Sequence, residues 1–501
     1  MCPTWEQCGA MMHQTLPKIP PLGRAPSIAA AGQAAISPLV REIAYRDPLE
    51  LFAPFARDRH AVLLESAVTD GQRGRYSYIA VEPFQILSSK NGNIVLGERM
   101  LQGNPFDLLN EQLGRFNTSP APDLPPFQGG AVGYFGYELA QHLERVPMAR
   151  HDEMQFPDLV IGFHDVVIAV DHQAQRAWIF STGYSDAEAA NREQLAVERL
   201  NHILRRIESA GMLPPLASAN GRVELQSNFT QPSYETAVER VINYILAGDI
   251  FQANLSQCLQ AKLPHGLTGL DLYRRLRKIN PAPFAALIKS GDVEIVSASP
   301  ERFLKLQQGQ VETCPIKGTR PRGSTPQADE VLAAELLASE KDRAENVMIV
   351  DLLRNDLSRV CRDGSVDVPR LCELETFATV FHLVSTVTGE LQPGKTAVDL
   401  LAACFPGGSI TGAPKIRAME IIAELEPTRR GPYCGSIGYI GFDGSMDTSI
   451  TIRTYGIKDG MVTFQAGGGI VADSRPTDEY DETIAKARAL IAALTGPGTG
   501  S

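Results

Sequence analysis

The sequence predicts a mixed α/β fold class, and three observations carry that prediction: alternating apolar runs that read as strands, apolar stripes at helical spacing, and no regular alternation of the two. The third excludes a doubly wound parallel sheet, which needs a crossover helix after nearly every strand. In the first half, VVIAVDH (166–172) and RAWIFST (176–182) read as short strands ended by turn residues. GGAVGYFGYELAQHLERV (129–146) reads as a glycine-rich turn leading into a helix. In the second half, Tyr234, Ala237, Val238, Val241, Ile242, Ile245 and Leu246 recur at the i, i+3, i+4, i+7 spacing of one amphipathic helix, with Gly248 as its stop. TSITIRTYGI (448–457) alternates as one strand would, so that Ile450 and Ile452 share a face and Thr451, Arg453 and Tyr455 share the other.

The organisation follows from breaks in composition. Residues 1–40 mix Pro, Gly, Ala and Met without period and read as a loose extension, as does the terminal GPGTGS. A Pro-, Ser- and Asn-rich stretch at about 208–232 separates an expected N-terminal domain (41–210) from an expected catalytic domain (225–495). No repeat of fixed period is visible.

Charge and composition narrow the function. With 44% apolar and 21% charged residues over 501 positions, the chain has the make-up of a soluble globular protein, and the cytoplasm is its expected location. No run of 18 apolar residues or secretory leader is present, so no membrane partner is expected. A net charge of -11 opposes nucleic acid and anionic lipid, and an anionic substrate would need local cations. The eight cysteines contain no CxxC pair and read as reduced, mostly buried thiols. Eight of the nine histidines precede residue 266 in no ligand spacing, which disfavours zinc.

Two glycine-rich stretches fail as nucleotide motifs. GGSITGAPK (407–415) has Ala413 where a P-loop needs its lysine, with Lys415 two residues late. GGGIVA (467–472) is followed by DSRP instead of a helix. Both can still offer backbone N–H groups to a carboxylate. Among acidic residues, Glu479 and Glu482 stand at i, i+3 on one predicted helix with Lys486 a turn later, and Glu345 lies on a second, EKDRAENVMIVDLLRNDL. Such spacing fits a solvated salt-bridged face, and equally carboxylates from separate helices converging on Mg²⁺; spacing alone does not decide.

Ordered segments then point further. SPERF (299–303), PIKGTRPRG (315–323), KDRAENVMIVDLLRNDL (341–357), FHLVSTV (381–387), FPGGSITGAPKIRAMEII (405–422), YCGSIGY (433–439), TSITIRT (448–454), AGGGIVADS and EYDET (466–483) together resemble the chorismate-utilising enzymes. That family includes anthranilate synthase component I, isochorismate synthase, salicylate synthase and aminodeoxychorismate synthase component I. The resemblance runs over about 225–490, with a weaker N-terminal part in LLESA, GRYSYIAVEP and GGAVGYFGYE. It implies an anthranilate synthase component I-like α+β fold, with two antiparallel sheets at the core and helices outside.

Within the family, Lys317 in PIKGT is the form seen in the aminodeoxychorismate synthase branch, where anthranilate synthases carry alanine; PGGSIT leans the same way. Gln252 stands where the isochorismate and salicylate enzymes place a general-base lysine, which argues against water as the nucleophile. The implied reaction is amination of chorismate to 4-amino-4-deoxychorismate for 4-aminobenzoate and folate synthesis. Lys317 would attack C2 with allylic shift and loss of the C4 hydroxyl, and ammonia would then add at C4 and expel the lysine.

The resemblance implies the other roles residue by residue. Glu301 would protonate the leaving hydroxyl, although an ion pair with Arg302 is its plainer reading. Glu345 and Glu482 would coordinate Mg²⁺, with Glu479 through water or as a further ligand. Arg453 and Tyr433 would hold the enolpyruvyl carboxylate, assisted by Thr319 and the backbone of Gly467, Gly468 and Gly469. His382 would line the ring pocket, against the alternative of a hydrogen-bonded core histidine. Lys486 would lie near the metal end, against that of a solvated helix lysine. No glutaminase segment is evident, so ammonia is expected from a separate glutamine amidotransferase subunit (component II), and no lyase segment follows residue 490. Leu64, Glu65, Ser66, Tyr76, Ser77 and Pro281 lie in stretches resembling the tryptophan-binding elements of anthranilate synthase, which implies a bound tryptophan, regulatory or structural. The nearest rival readings are anthranilate synthase component I and a tryptophan-binding regulatory protein.

Overall fold

The computed structural model describes residues 35–68, 74–185, 191–209, 211, 213–217, 223–376 and 380–496. Of the expected loose extension, residues 1–34 lie outside the described residues, as do parts of the 208–232 stretch and of the terminal GPGTGS. The end of that extension is ordered: Leu39–Ile43 pairs with Arg176–Ser181 as an edge strand.

Two sheets of twelve strands each form the centre, and every strand pairing is antiparallel. The first runs from Leu39–Ile43 through His60–Glu65, Phe284–Ser290, Val293–Ser299, Thr454–Lys458 and Met461–Ile470 to Gln252–Lys262 and a short edge. The second runs from Ile316–Pro321 through Val380–Glu390, Arg302–Gln307, Met446–Ile450 and Ser436–Gly441 to Gly130–Phe135 and Arg99–Gln102. Both sheets take strands from before and after 208–232, so that break in composition does not divide the core.

Strand periodicity builds the layers. On Tyr76–Val81, Tyr78 and Ala80 join the core between the sheets, whereas Ile79 and Val81 join the core under the outer helices. The inter-sheet core takes Phe180 and Trp178 from one sheet and Tyr134, Ile437 and Tyr439 from the other. Leu490 and Leu494 of the Pro476–Thr495 helix cover the first sheet, and Ile349 and Leu353 of the Glu340–Ser358 helix cover the second. The order is helix, sheet, sheet, helix, with an apolar face on each element buried against its neighbour.

Two local expectations need correction, and a third holds except at one residue. GGAVGYFGYE is a fully buried strand, Gly130–Phe135, followed by the short 3₁₀ helix Tyr137–His142; its glycines let neighbouring strands approach and do not make a turn. The amphipathic helix expected over Tyr234 to Leu246 is present as Gln231–Leu246, capped by Thr230, but its apolar stripe ends early, with Leu246 facing solvent at 72% exposure. TSITIRTYGI is not one strand: Met446–Ile450 belongs to the second sheet and Thr454–Lys458 to the first. The chain changes sheets at 451–453, with Arg453 in the left-handed region at φ 52°, so the alternation does not set its direction.

Candidate active site

The chain crosses between the sheets at two adjacent places, and each crossing carries a candidate residue. At the first, Val293–Ser299 passes to Arg302–Gln307 through Glu301. At the second, the passage from Ile450 to Thr454 carries Arg453. The crossings are stitched together: Ile450 N donates to the Glu301 carbonyl (3.0 Å) and Ala298 N to the Arg453 carbonyl (3.1 Å). Tyr433 joins them through the turn after it, where Cys434 N donates to the Thr451 carbonyl (2.8 Å).

Lys317 lies on Ile316–Pro321, which pairs with Val380–Glu390 so that Lys317 faces Leu383. The register then slips, Thr319 facing His382. Gly318 absorbs the slip at φ 79°, and a Cβ there would stand 3.0 Å from Asp342. Thr319 Oγ1 lies 2.9 Å from His382 Nδ1, so the histidine is a buried hydrogen-bonded residue beside the lysine strand. The Lys317 Nζ is enclosed and, among the described residues, hydrogen-bonds only to the Ser409 carbonyl, at 3.5 Å. Burial, as the largest influence, and Lys486 hold this amine below the ordinary lysine value, against the opposing charges of Glu345, Glu301 and Glu482.

Three carboxylates stand on the Glu340–Ser358 and Pro476–Thr495 helices, Glu482 within electrostatic reach of both Glu345 and Glu479. Glu345 and Glu479 are raised above the usual carboxylate value, chiefly by burial. Burial also pushes Glu482 up, but its ion pair with Lys486 (2.6 Å) and the charges of Lys317 and Lys341 outweigh it and bring it below. Lys486 also donates to the Gly467 carbonyl (2.9 Å). Glu479 accepts from Ser474 Oγ at one oxygen (2.6 Å), while its other oxygen is buried without a hydrogen-bond partner among the described residues. Gly468 makes room for that oxygen, which a Cβ would approach to 2.8 Å. Among the described residues no three His, Cys, Asp or Glu side chains form a ready metal cage. An orphaned buried carboxylate oxygen beside Glu482 nonetheless fits Mg²⁺, which takes few protein oxygens and keeps its waters.

The Arg453 guanidinium is enclosed, and burial alone lowers its pKa from the ordinary arginine value. Its hydrogen bond is a long one to Asn280 Oδ1 (3.5 Å), and among the described residues it has no carboxylate partner. Nearby, Gly467–Gly469 lie on Met461–Ile470, not in a loop; that strand pairs with Gln252–Lys262 throughout but with Thr454–Lys458 only up to Phe464. The side beyond Phe464 thus leaves backbone groups free of a second neighbour.

Other expectations resolve differently. Glu301 is 6% exposed and so is not a surface residue, and the neighbouring Arg302 pairs with Asp447 (3.0 Å) and Glu312 (3.1 Å). Lys415 is pinned by Asp356 (2.6 Å) and the Cys404 carbonyl (2.9 Å) and is no phosphate ligand. Six cysteines are free and buried among the described residues. Lys341, which sequence reasoning passed over, faces Glu345, Glu479 and Glu482; its place four residues before Glu345 was the available signal.

A cavity of about 550 Å³ opens between the sheets, apart from Lys317, and Leu64, Glu65 and Tyr76 line it with Phe284, Arg302 and Met446. The Glu65 carboxylate is bound by Arg277 (2.6 Å) and by the Tyr273 hydroxyl. Ser66, Ser77 and Pro281 stand outside the lining: Ser77 Oγ accepts from Ser66 N (3.1 Å) and lies 2.7 Å from His172 Nε2.

Residues 61–492 match the family described as chorismate binding enzyme. The chain belongs to that family. It is 40% identical over 477 residues to anthranilate synthase component 1 of Acetivibrio thermocellus, covering 92% of this chain and 96% of that one. It is 42% identical over 467 residues to aminodeoxychorismate synthase component 1 of Salmonella typhimurium, covering 92% and 99%. The crystal structure of anthranilate synthase component I from Streptococcus pneumoniae TIGR4 superimposes with a TM-score of 0.75 at 33% identity, covering 86% of this chain and 94% of that one. The protein is therefore a chorismate-utilising enzyme with the two-sheet fold of its family. Among the described residues no helix is long and apolar enough to cross a membrane.

Proposed function

We propose that this family member aminates chorismate at C4, giving 4-amino-4-deoxychorismate, as the first component of an aminodeoxychorismate synthase. The observation that carries the reading is the enclosed Lys317 amine, held below its ordinary pKa and facing Glu301 and Glu345. Burial that lowers a lysine's pKa favours the neutral, nucleophilic amine, and identity to relatives of both names, 40% and 42%, does not choose between the branches.

In this reading Nζ bonds to C2, the ring double bonds shift, and the C4–O bond breaks as Glu301 gives its proton to the departing hydroxyl. Ammonia then bonds to C4, the double bonds return, the C2–N bond breaks and Lys317 is freed. Arg453 and Tyr433 hold the enolpyruvyl carboxylate, with Thr319 and the Gly467–Gly469 backbone beside them, and His382 orients Thr319. Glu345, Glu479 and Glu482 would hold Mg²⁺, which supplies positive charge for the ring carboxylate; Lys486 sets the charge of Glu482. Ammonia comes from a glutamine amidotransferase subunit, consistent with the component 1 names of the relatives.

The test is product analysis. Purified protein with chorismate, Mg²⁺ and ammonium should give an aminated product that keeps its enolpyruvyl group, and Lys317→Ala should not. Anthranilate with released pyruvate would overturn the reading. A second reading concerns the inter-sheet cavity, whose lining by Leu64, Glu65 and Tyr76 favours a bound amino acid such as tryptophan. Isothermal titration with tryptophan, followed by activity at saturation, separates a structural ligand from an inhibitor.

A further inference from the structure

The nucleophile and the metal-side carboxylate lie on different elements, a strand and a helix, and something must set their separation. Asn346 follows Glu345 on the Glu340–Ser358 helix and is fully buried. Its Nδ2 donates to the Leu383 carbonyl (3.3 Å), and Leu383 is the residue that faces Lys317 across the strand pair. Its Oδ1 accepts from Ser385 Oγ, which itself accepts from Cys372 N (2.9 Å). Ser385 N donates to the Pro315 carbonyl (3.2 Å), two residues before Lys317. One amide thus bonds the helix to the central strand, and that strand's next links hold the lysine strand on one side and Asp367–Thr376 on the other.

We propose that Asn346 is a positioning residue, which fixes the Glu345 carboxylate against the Lys317 amine through Leu383 and Ser385. The inference rests on the reading of Lys317 as nucleophile and Glu345 as a metal carboxylate. An apolar residue would pack equally well at a purely structural helix–strand contact, and burying an amide requires that its donors and acceptors be met. Here both ends are met by groups that lead to the lysine strand. The side chain touches neither substrate nor metal.

The experiment compares Asn346→Ala, Asn346→Asp and Ser385→Ala with the unaltered chain through one readout at each end of the clamp. At the helix end, Mn²⁺ affinity is measured by electron paramagnetic resonance. At the strand end, acetic anhydride labelling of Lys317 at one pH is quantified by peptide mass spectrometry against the remote Lys289. Asn346→Ala is expected to weaken Mn²⁺ binding roughly tenfold or more, the scale of lost outer-shell support, and to speed Lys317 labelling by about threefold as the carboxylate moves away. It lowers kcat more than it raises KM. Asn346→Asp, which keeps the acceptor but lacks the donor to Leu383, falls with the alanine variant, and Ser385→Ala gives a smaller effect. Unchanged Mn²⁺ affinity and unchanged labelling in a folded Asn346→Ala protein overturn the proposal, whatever its urea midpoint. If that variant does not fold, Ser385→Ala decides in the same way. Glu345→Gln serves as the control for the underlying reading: if it binds Mn²⁺ like the unaltered chain, the metal assignment fails and the Lys317 labelling alone decides the clamp.

Discussion

Two arginines of this protein, Arg430 and the half-buried Arg453, could hardly be treated more differently. Arg430 is 3% exposed, paired with Glu426 (2.7 Å), and donates to the carbonyls of Asn254 (2.7 Å) and Ile410 (2.9 Å). Although burial pulls the other way, the charge of Glu426 holds the Arg430 guanidinium well above the ordinary arginine value. Arg453 is enclosed without any carboxylate among the described residues, and burial lowers it. A buried cation whose bonds are met is a strut; one left unmet is waiting for an anion. The same contrast separates Lys415, pinned by Asp356, from Lys317, which has one weak contact.

The comparison can be tested to breaking, and Lys317→Ala is the sharpest attempt. On the proposed reading it should cost about a thousandfold or more in kcat for amination, read by product chromatography, because it would remove the nucleophile rather than a supporting contact. Next come the arginines. Arg430→Met should cost about 3–5 kcal/mol in urea unfolding by stranding Glu426. Arg453→Met should leave stability equal or higher, while raising KM for chorismate roughly ten- to hundredfold, as charged hydrogen bonds of ~1.5–3 kcal/mol are lost. A stability loss at Arg453 matching that at Arg430 would erase the distinction.

The pH dependence is a milder consequence. Because the folded state holds the Lys317 amine below its ordinary value, the unfolded chain binds more protons between the two values, and this group's contribution to stability rises with pH there. The neutral amine accumulates over the same range, so amination should increase along a limb centred below about 10.4, and the residual rate of Lys317→Ala should lack that limb. Smallest is Gly468→Ala, whose Cβ would meet the unpartnered Glu479 oxygen at 2.8 Å. It should weaken Mn²⁺ binding by about tenfold with little change in the urea midpoint.

Much of the fold was legible in the residues. The two helices expected to carry Glu345 and Glu479, Glu482 and Lys486 are present, as are the strands in VVIAVDH and RAWIFST. The failures share a cause. TSITIRTYGI alternates perfectly yet serves two sheets, since period two reports that each residue is in extended chain and not which neighbour it pairs with. GGAVGYFGYE looked like a turn because glycine is common to turns and to tightly packed strands, and only the neighbours distinguish them.

By itself the sequence determined the class of fold, the family and the residue types that chemistry requires: one lysine in a shaped segment, three glutamates on two helices, an arginine in a strand-like run. Those are local properties, written in spacing and in motif. Tertiary structure alone decided that Glu301 and Arg453 sit at adjacent crossings between the sheets, that Glu479 keeps an unpartnered oxygen, and that Arg453 rather than Arg430 lacks its counter-ion. These depend on which distant groups burial brings together and which polar atoms it leaves unmet, and no pattern along the chain encodes that.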